Sequence, residues 1–166
     1  MWSVPAANLS IIMRSILILP CLLFFGAVCF AKNEQTPEQF LQKLYQGNPT
    51  SKPPIDLTKK ENLNKYFDGD LVRLFLSDFE CQKKSGGICN LDFDPIYDAQ
   101  DMEAKTTNLK VSKVKGQGEQ FAVTFTNIDT RTLIYTLKNT KEGWRISDIK
   151  YPQGPSLKEI LSRKMP

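Results

Sequence analysis

The residues able to do chemistry concentrate in one stretch, CQKKSGGICNLDFDPIYDAQD, which runs from Cys81 to Asp101 and holds two cysteines, a Gly-Gly pair, four aspartates and two aromatics. The chain has 166 residues and no histidine. That removes the commonest general base and, with it, Ser-His-Asp and Cys-His nucleophilic sites and most zinc sites. Catalysis here would have to rest on carboxylates, lysines or tyrosines. A glycosidase-like pair of acids must face each other across about 5 to 9 Å, a separation that spacing along a chain does not fix. A calcium loop needs Asp-x-Asp-x-Asp-Gly with a distal Glu, and Pro95 stands against it. KSGGIC lacks the strand-to-helix frame of a phosphate loop. No metal and no cofactor are expected. Asp94 before Pro95 reads as an N-cap followed by proline at the first helical position. A short helix there would bring Asp98 and Asp101 near one face.

The two cysteines of this stretch gain meaning from the start of the chain. SILILPCLLFFGAVCF is apolar from Ile16 to Phe30, preceded by Arg14 and followed by Ala31 and a polar run, which is the layout of a secretory signal covering residues 1–31 and cleaved after Ala31. The run is short for a transmembrane anchor and contains Pro20. Neither Cys21 nor Cys29 follows a small residue, so lipidation and a stable membrane anchor are not expected. Met13 is an alternative start. Removal of the signal takes two of the four cysteines with it. Cys81 and Cys89 then remain in an oxidising compartment, where a structural disulfide across the flexible SGG is the expectation. The formal net charge is +4, with lysines scattered among acids, and nucleic acid is not an expected partner.

The elements that must position these groups follow from period and punctuation. Residues 32–166 read as a single domain. TPEQFLQKLYQGNP is a helix with Thr36 as N-cap, Pro37 at the first position and a stripe of Phe40, Leu41, Leu44 and Tyr45. A second helical region breaks at Asp68-Gly69. Its later half, with Leu71, Val72, Leu74, Phe75, Leu76 and Phe79, should be buried, leaving Arg73, Ser77 and Asp78 on a narrow polar side. From Thr106 the pattern alternates. LKVSKV, QFAVTFTN, TLIYTLKN and GWRISDIKY read as four strands of an antiparallel meander joined by short turns. Ser156 with Glu159 three residues on is a capping box for a short C-terminal helix. The class is α+β, with the helices covering the apolar face of the sheet.

The last strand breaks its own alternation. Trp144 and Ile146 share a parity that Asp148 continues, whereas Ile149 and Tyr151 take the other. Either a bulge near Ser147 turns Asp148 outward, or Asp148 points inward and needs a partner such as Arg131, Arg145 or a ligand. The bulge is preferred.

The FLQKLY helix, the buried second helix, DFDPIYDAQD and the closing GWRISDIKYPQGPSLKEIL together resemble a domain-of-unknown-function family of small exported proteins and lipoproteins of Gram-negative bacteria. The most specific strings are Asp94-Pro95 with Ala99-Gln100-Asp101, and Trp144 to Ile149. The resemblance implies a periplasmic location and the cone-like fold of nuclear transport factor 2. In that fold helices back a curved four-stranded antiparallel sheet, and Tyr66, Phe75, Tyr97, Trp144 and Asp148 would line a pocket. The expected function is non-catalytic binding of a small ligand or a protein, through Tyr97, Asp98, Asp101, Trp144 and Asp148. Two alternatives stand beside it. One is a periplasmic immunity protein that neutralises a delivered toxin. The other is a carboxylate-dependent isomerase or hydrolase using Asp98, Asp101 or Asp148 as base.

Overall fold

The computed structural model describes residues 35–46, 55–100 and 106–164. The leader, its cleavage point, the alternative start and Asp101 lie outside the described residues.

Helix α1, Pro37–Tyr45, starts with a reciprocal cap. The Thr36 hydroxyl accepts the Gln39 N–H at 3.2 Å and the Gln39 side chain accepts the Thr36 N–H at 3.0 Å. Its stripe of Phe40, Leu41, Leu44 and Tyr45 is buried. Helices α2, Lys60–Tyr66, and α3, Gly69–Ser85, are separated at Phe67 and Asp68. Asp68 has three jobs at this break. Its carboxylate caps α3 through the Leu71 N–H at 3.0 Å and receives Lys138 at 2.6 Å, while its own N–H donates to the Ile146 carbonyl at 2.8 Å. The helix break is thereby fastened to the sheet. Helix α3 ends at Gly86, whose φ of 70° lets it turn left-handed and donate to the Gln82 carbonyl at 2.9 Å.

Asp78 departs from the expectation that it lies on a polar side of α3: it is fully buried. The loop after α3 folds back over it, so that Oδ1 accepts the Asn90 N–H and Oδ2 the Gln82 side-chain N–H, both at 2.7 Å. A buried carboxylate is tolerable because it is bonded in this way. The same loop carries the Cys81–Cys89 disulfide, with Cα atoms 6.2 Å apart.

The sheet is a four-stranded antiparallel meander in the order β1 (Thr107–Lys113), β2 (Gln120–Thr126), β3 (Thr130–Thr140) and β4 (Gly143–Lys150). The alternation of the sequence is realised as one covered face. Phe121, Val123 and Phe125 of β2 and Leu133, Tyr135 and Leu137 of β3 are buried. On β4 the register jumps at the Thr136/Leu137 position of β3: Leu137 faces Ile146, Thr136 faces Asp148, and Ser147 is the extra residue. This bulge puts both Ile146 and Ile149 on the covered face and takes Asp148 off it. Helix α4, Leu157–Leu161, follows with a Ser156 and Glu159 capping box. Its Leu157, Ile160 and Leu161 join a core that also contains side chains of α1, α2, α3 and the sheet.

Candidate functional site

The expected short helix after Asp94 is not formed. Asp94 does act as a cap, its Oδ1 accepting the Ile96 N–H at 2.8 Å and the Tyr97 N–H at 3.3 Å. The chain then closes on itself in a turn, with the Asp94 N–H donating to the Ala99 carbonyl at 2.9 Å. Asp98 adopts a left-handed φ of 51°, a conformation that aspartate tolerates better than most residues and that ends any helical path.

Three tyrosines from distant parts of the chain hold this turn. The hydroxyls of Tyr45 of α1 and Tyr135 of β3 reach the Ile96 carbonyl, at 2.9 and 3.3 Å, and lie 2.8 Å apart, so that one can donate to the carbonyl and the other to its neighbour. Tyr151, just after β4, donates to the Pro95 carbonyl at 3.2 Å. Burial pushes all three phenols well above their ordinary ionisation range, so they are neutral donors at any physiological pH. Burial likewise raises the Asp94 carboxyl to about 6, against the two backbone N–H groups that favour its ionised form. Tyr97 packs edge-on against Tyr45 and Phe125. Its hydroxyl is buried without a hydrogen bond of ordinary geometry. Burial and the Asp94 charge raise it to about 12, with the Thr106 side chain acting weakly in the other direction.

The turn presents Asp98 to Arg131, whose Nη1 donates to Asp98 Oδ2 at 2.7 Å. Arg131 shares the parity of Leu133 and Tyr135, so it sits at the end of the covered face. There it meets the acid rather than hydrocarbon. The Arg131 side chain keeps 36 % of its surface exposed and that of Asp98 23 %. Beside the pair opens a cleft of about 710 Å³ lined by Asp98, residues 129–132, Pro152 and Gln153. A smaller hollow of about 170 Å³ borders Tyr97, Gln100, Asn127, Ile128 and Arg131. Ile128, at the β2–β3 turn, is 61 % exposed.

The residues singled out in the sequence do not all converge here. Tyr97 and Asp98 are at the cleft or its neighbouring hollow. Trp144 lies at the opposite end of β4 from Pro152 and Gln153, and its indole N–H donates to the Gln35 carbonyl at 3.0 Å. Asp148 accepts the N–H of Lys158 at 3.0 Å and of Ile149 at 2.9 Å, which steadies the first turn of α4. Neither arginine named as its possible partner reaches it: Arg131 holds Asp98, and Arg145 holds the Asn64 carbonyl and Glu142. Tyr66 and Phe75 are core residues. Asp129, Thr130 and Thr132 were not anticipated as site residues. Arg131 was, in a sense, legible, since an arginine in phase with Leu133 and Tyr135 must find an acid at the edge of the covered face.

No family model matches the chain, and comparisons with curated proteins and with solved structures find no match. Among the described residues no helix is long and apolar enough to cross a membrane, and no group of His, Cys, Asp or Glu is placed to hold a metal ion.

Proposed function

We propose that this is an exported, non-catalytic binding domain whose ligand enters the cleft beside the Asp98–Arg131 pair. The observation that carries the reading is the cleft itself. Its volume of about 710 Å³ lies within the range of roughly 300 to 1,000 Å³ typical of ligand sites, and a half-exposed guanidinium is fixed in it by an ion pair. An arginine positioned in this way is a recognition device, since the planar guanidinium carries five N–H donors and the ion pair engages Nη1. Of the carboxylates that an enzymatic reading would use, Asp98 is committed to Arg131 and Asp148 to the start of α4, and Asp101 lies outside the described residues. A periplasmic immunity protein would be one member of this class of binder. The likeness to small exported proteins with a cone-like sheet belongs to the same proposal, and the disulfide is consistent with export.

The test is a screen of polar small molecules and peptides against isotope-labelled, oxidised protein, read by amide chemical shifts. Ligands should move the amides of Asp129, Thr130, Arg131, Thr132 and Gln153, and Arg131→Ala should change their affinity. Binding that maps elsewhere refutes the assignment.

A further inference from the structure

The cleft exists because one strand outlasts its neighbour. β3 pairs with β2 from Thr130 onward, but its pairing with β4 begins only at Ile134, opposite Lys150. Residues 130–133 of β3 therefore have a neighbour on one side only. The next hydrogen-bonded position on the β4 side would place Thr132 opposite residue 152, which is Pro152, a residue with no N–H to donate. The ladder stops there and the chain leaves through Gln153 and Gly154, the latter at φ 87°.

The direction of the backbone groups follows from bonds on the same strand. Leu137 donates its N–H toward β2, to Glu119 at 2.9 Å, while the Thr136 carbonyl points toward β4 and accepts the Ser147 hydroxyl at 3.2 Å. Backbone groups alternate along a strand, so the even residues, Thr130 and Thr132 among them, direct N–H and C=O to the β4 side. The side chains agree with this phase. Thr124 and Thr132, and Thr126 and Thr130, meet through their hydroxyls at 2.8 and 2.9 Å, as closely spaced non-hydrogen-bonded pairs do. The polar groups of the overhang thus face the cleft lined by Pro152 and Gln153.

The other edges of the sheet are managed. On β1 the register is broken between Thr107 and Lys110, Asn108 takes a φ of 54°, and Lys110 and Lys113 add charge, all of which discourage pairing. On β4 the Ile146 carbonyl is already taken by the Asp68 N–H, in a bridge formed by Phe67. Among the described residues the charges lining the cleft are two carboxylates, Asp98 and Asp129, against the guanidinium of Arg131, which leaves that lining net negative.

Resting on the reading of the cleft as a binding site, we propose that it is a strand-addition site: an extended peptide with a basic side chain takes the place β4 vacates, pairs its backbone with Thr130 and Thr132, and sets its cation against Asp129. Main-chain bonds supply affinity in this mode of recognition and the side-chain contacts supply selectivity. The four-residue overhang spans roughly 13 Å at about 3.3 Å per residue, enough for a peptide of three to five residues.

The experiment is selection of peptides from a random heptapeptide display library on the oxidised protein, followed by binding measurements on synthetic copies. Selected peptides should carry Lys or Arg, slow hydrogen exchange at the Thr130 and Thr132 amides, and weaken about tenfold on Thr132→Pro, which deletes the N–H facing the cleft together with the hydroxyl bonded to Thr124. Because that variant could disturb folding, the ligand side is tested as well. Methylating the peptide nitrogens that face β3 should cost roughly tenfold and methylating the intervening ones should not. Peptides that lose binding with Arg131→Ala yet ignore Thr132→Pro and N-methylation would overturn strand addition while leaving the cleft as the binding site. Failure to select any peptide overturns it too, and the small-molecule screen then decides whether the cleft binds at all. Protection of Thr130 and Thr132 that rises with protein concentration, without peptide, would assign the notch to a second copy of the chain and refute the peptide.

Discussion

Replacing Asp94 with asparagine should change how stability depends on pH while leaving the turn in place. The side-chain oxygen of the introduced asparagine can accept the same two N–H groups of Ile96 and Tyr97 that Asp94 Oδ1 accepts at 2.8 and 3.3 Å. What disappears is the cost of ionising a carboxyl packed into the tyrosine corner. Burial raises that carboxyl from 3.8 to about 6. The folded protein therefore keeps its proton over a range in which the unfolded chain has lost it. Below about pH 4 both states are protonated and the group is neutral to stability. As pH rises toward 6 the unfolded state binds fewer protons than the native one, so the stability of the wild type falls, and above about 6 the loss is complete.

The size follows from the same interval. A displacement from 3.8 to about 6 corresponds to roughly 3 kcal/mol at about 1.4 kcal/mol per pH unit, and this is a ceiling because Asp94 is not fully enclosed. Urea unfolding of wild type and Asp94→Asn, at half-unit steps from pH 4 to 8, gives the difference between the two curves. Any pH-independent effect of the substitution appears as a constant offset. The variant should gain on the wild type by up to about 3 kcal/mol between pH 4 and 7, with most of the change below pH 6.5. A difference that is flat across the range, or that moves in the wild type's favour as pH rises, would refute the reasoning, because it would mean that the corner does not penalise the charge.

Three further outcomes are expected. Reducing the Cys81–Cys89 bridge, or replacing both cysteines with serine, opens a loop with a sequence separation of 8 and should cost roughly 2.5 kcal/mol on the chain-entropy model, read as a lower urea midpoint. Tyr135→Phe removes one of the two hydroxyls that reach the Ile96 carbonyl and should destabilise by about 1 to 2 kcal/mol in thermal or urea unfolding. Asp148→Ala deprives the first turn of α4 of its contact to the Lys158 N–H and should cost about 1 kcal/mol, while ligand binding in the cleft, measured by titration calorimetry, stays as in the wild type.

Local rules account for much of what was legible in the sequence. Thr36 with Gln39 and Ser156 with Glu159 announce two helix starts, and both cap as expected. Alternation in β2 and β3 separates buried from half-exposed residues, and the parity break at Ser147 marks the bulge that the register shows. The features that escaped depend on chain segments far apart. Asp78 reads as a surface residue on helical period, and only the return of the loop to Asn90 encloses it. Tyr45, Tyr135 and Tyr151 each look like ordinary members of an apolar stripe, and nothing local says that their hydroxyls meet one turn at Pro95 and Ile96. The cleft was hidden for the same reason. It arises from a difference in length between β3 and β4, which becomes visible only once the register is known.

The tyrosine corner and the cleft are parts of one arrangement, and their coupling has a direction. Arg131 is positioned by Asp98, Asp98 by the left-handed turn, and the turn by the bond from Asp94 to Ala99 together with hydroxyls delivered by α1, β3 and the residue after β4. The Ile96 carbonyl lies within reach of two tyrosine hydroxyls, so the loss of either leaves the other to donate to it and the turn in place. Stability can therefore fall without moving the guanidinium, and Tyr135→Phe should leave cleft binding nearly intact. Asp98 has no such redundancy. Removing its carboxylate frees Arg131 at the mouth of the cleft and leaves Asp129 as the one acid among the described residues of the lining, a change that should alter binding while costing little stability, because an ion pair with this much exposure contributes about 1 kcal/mol or less.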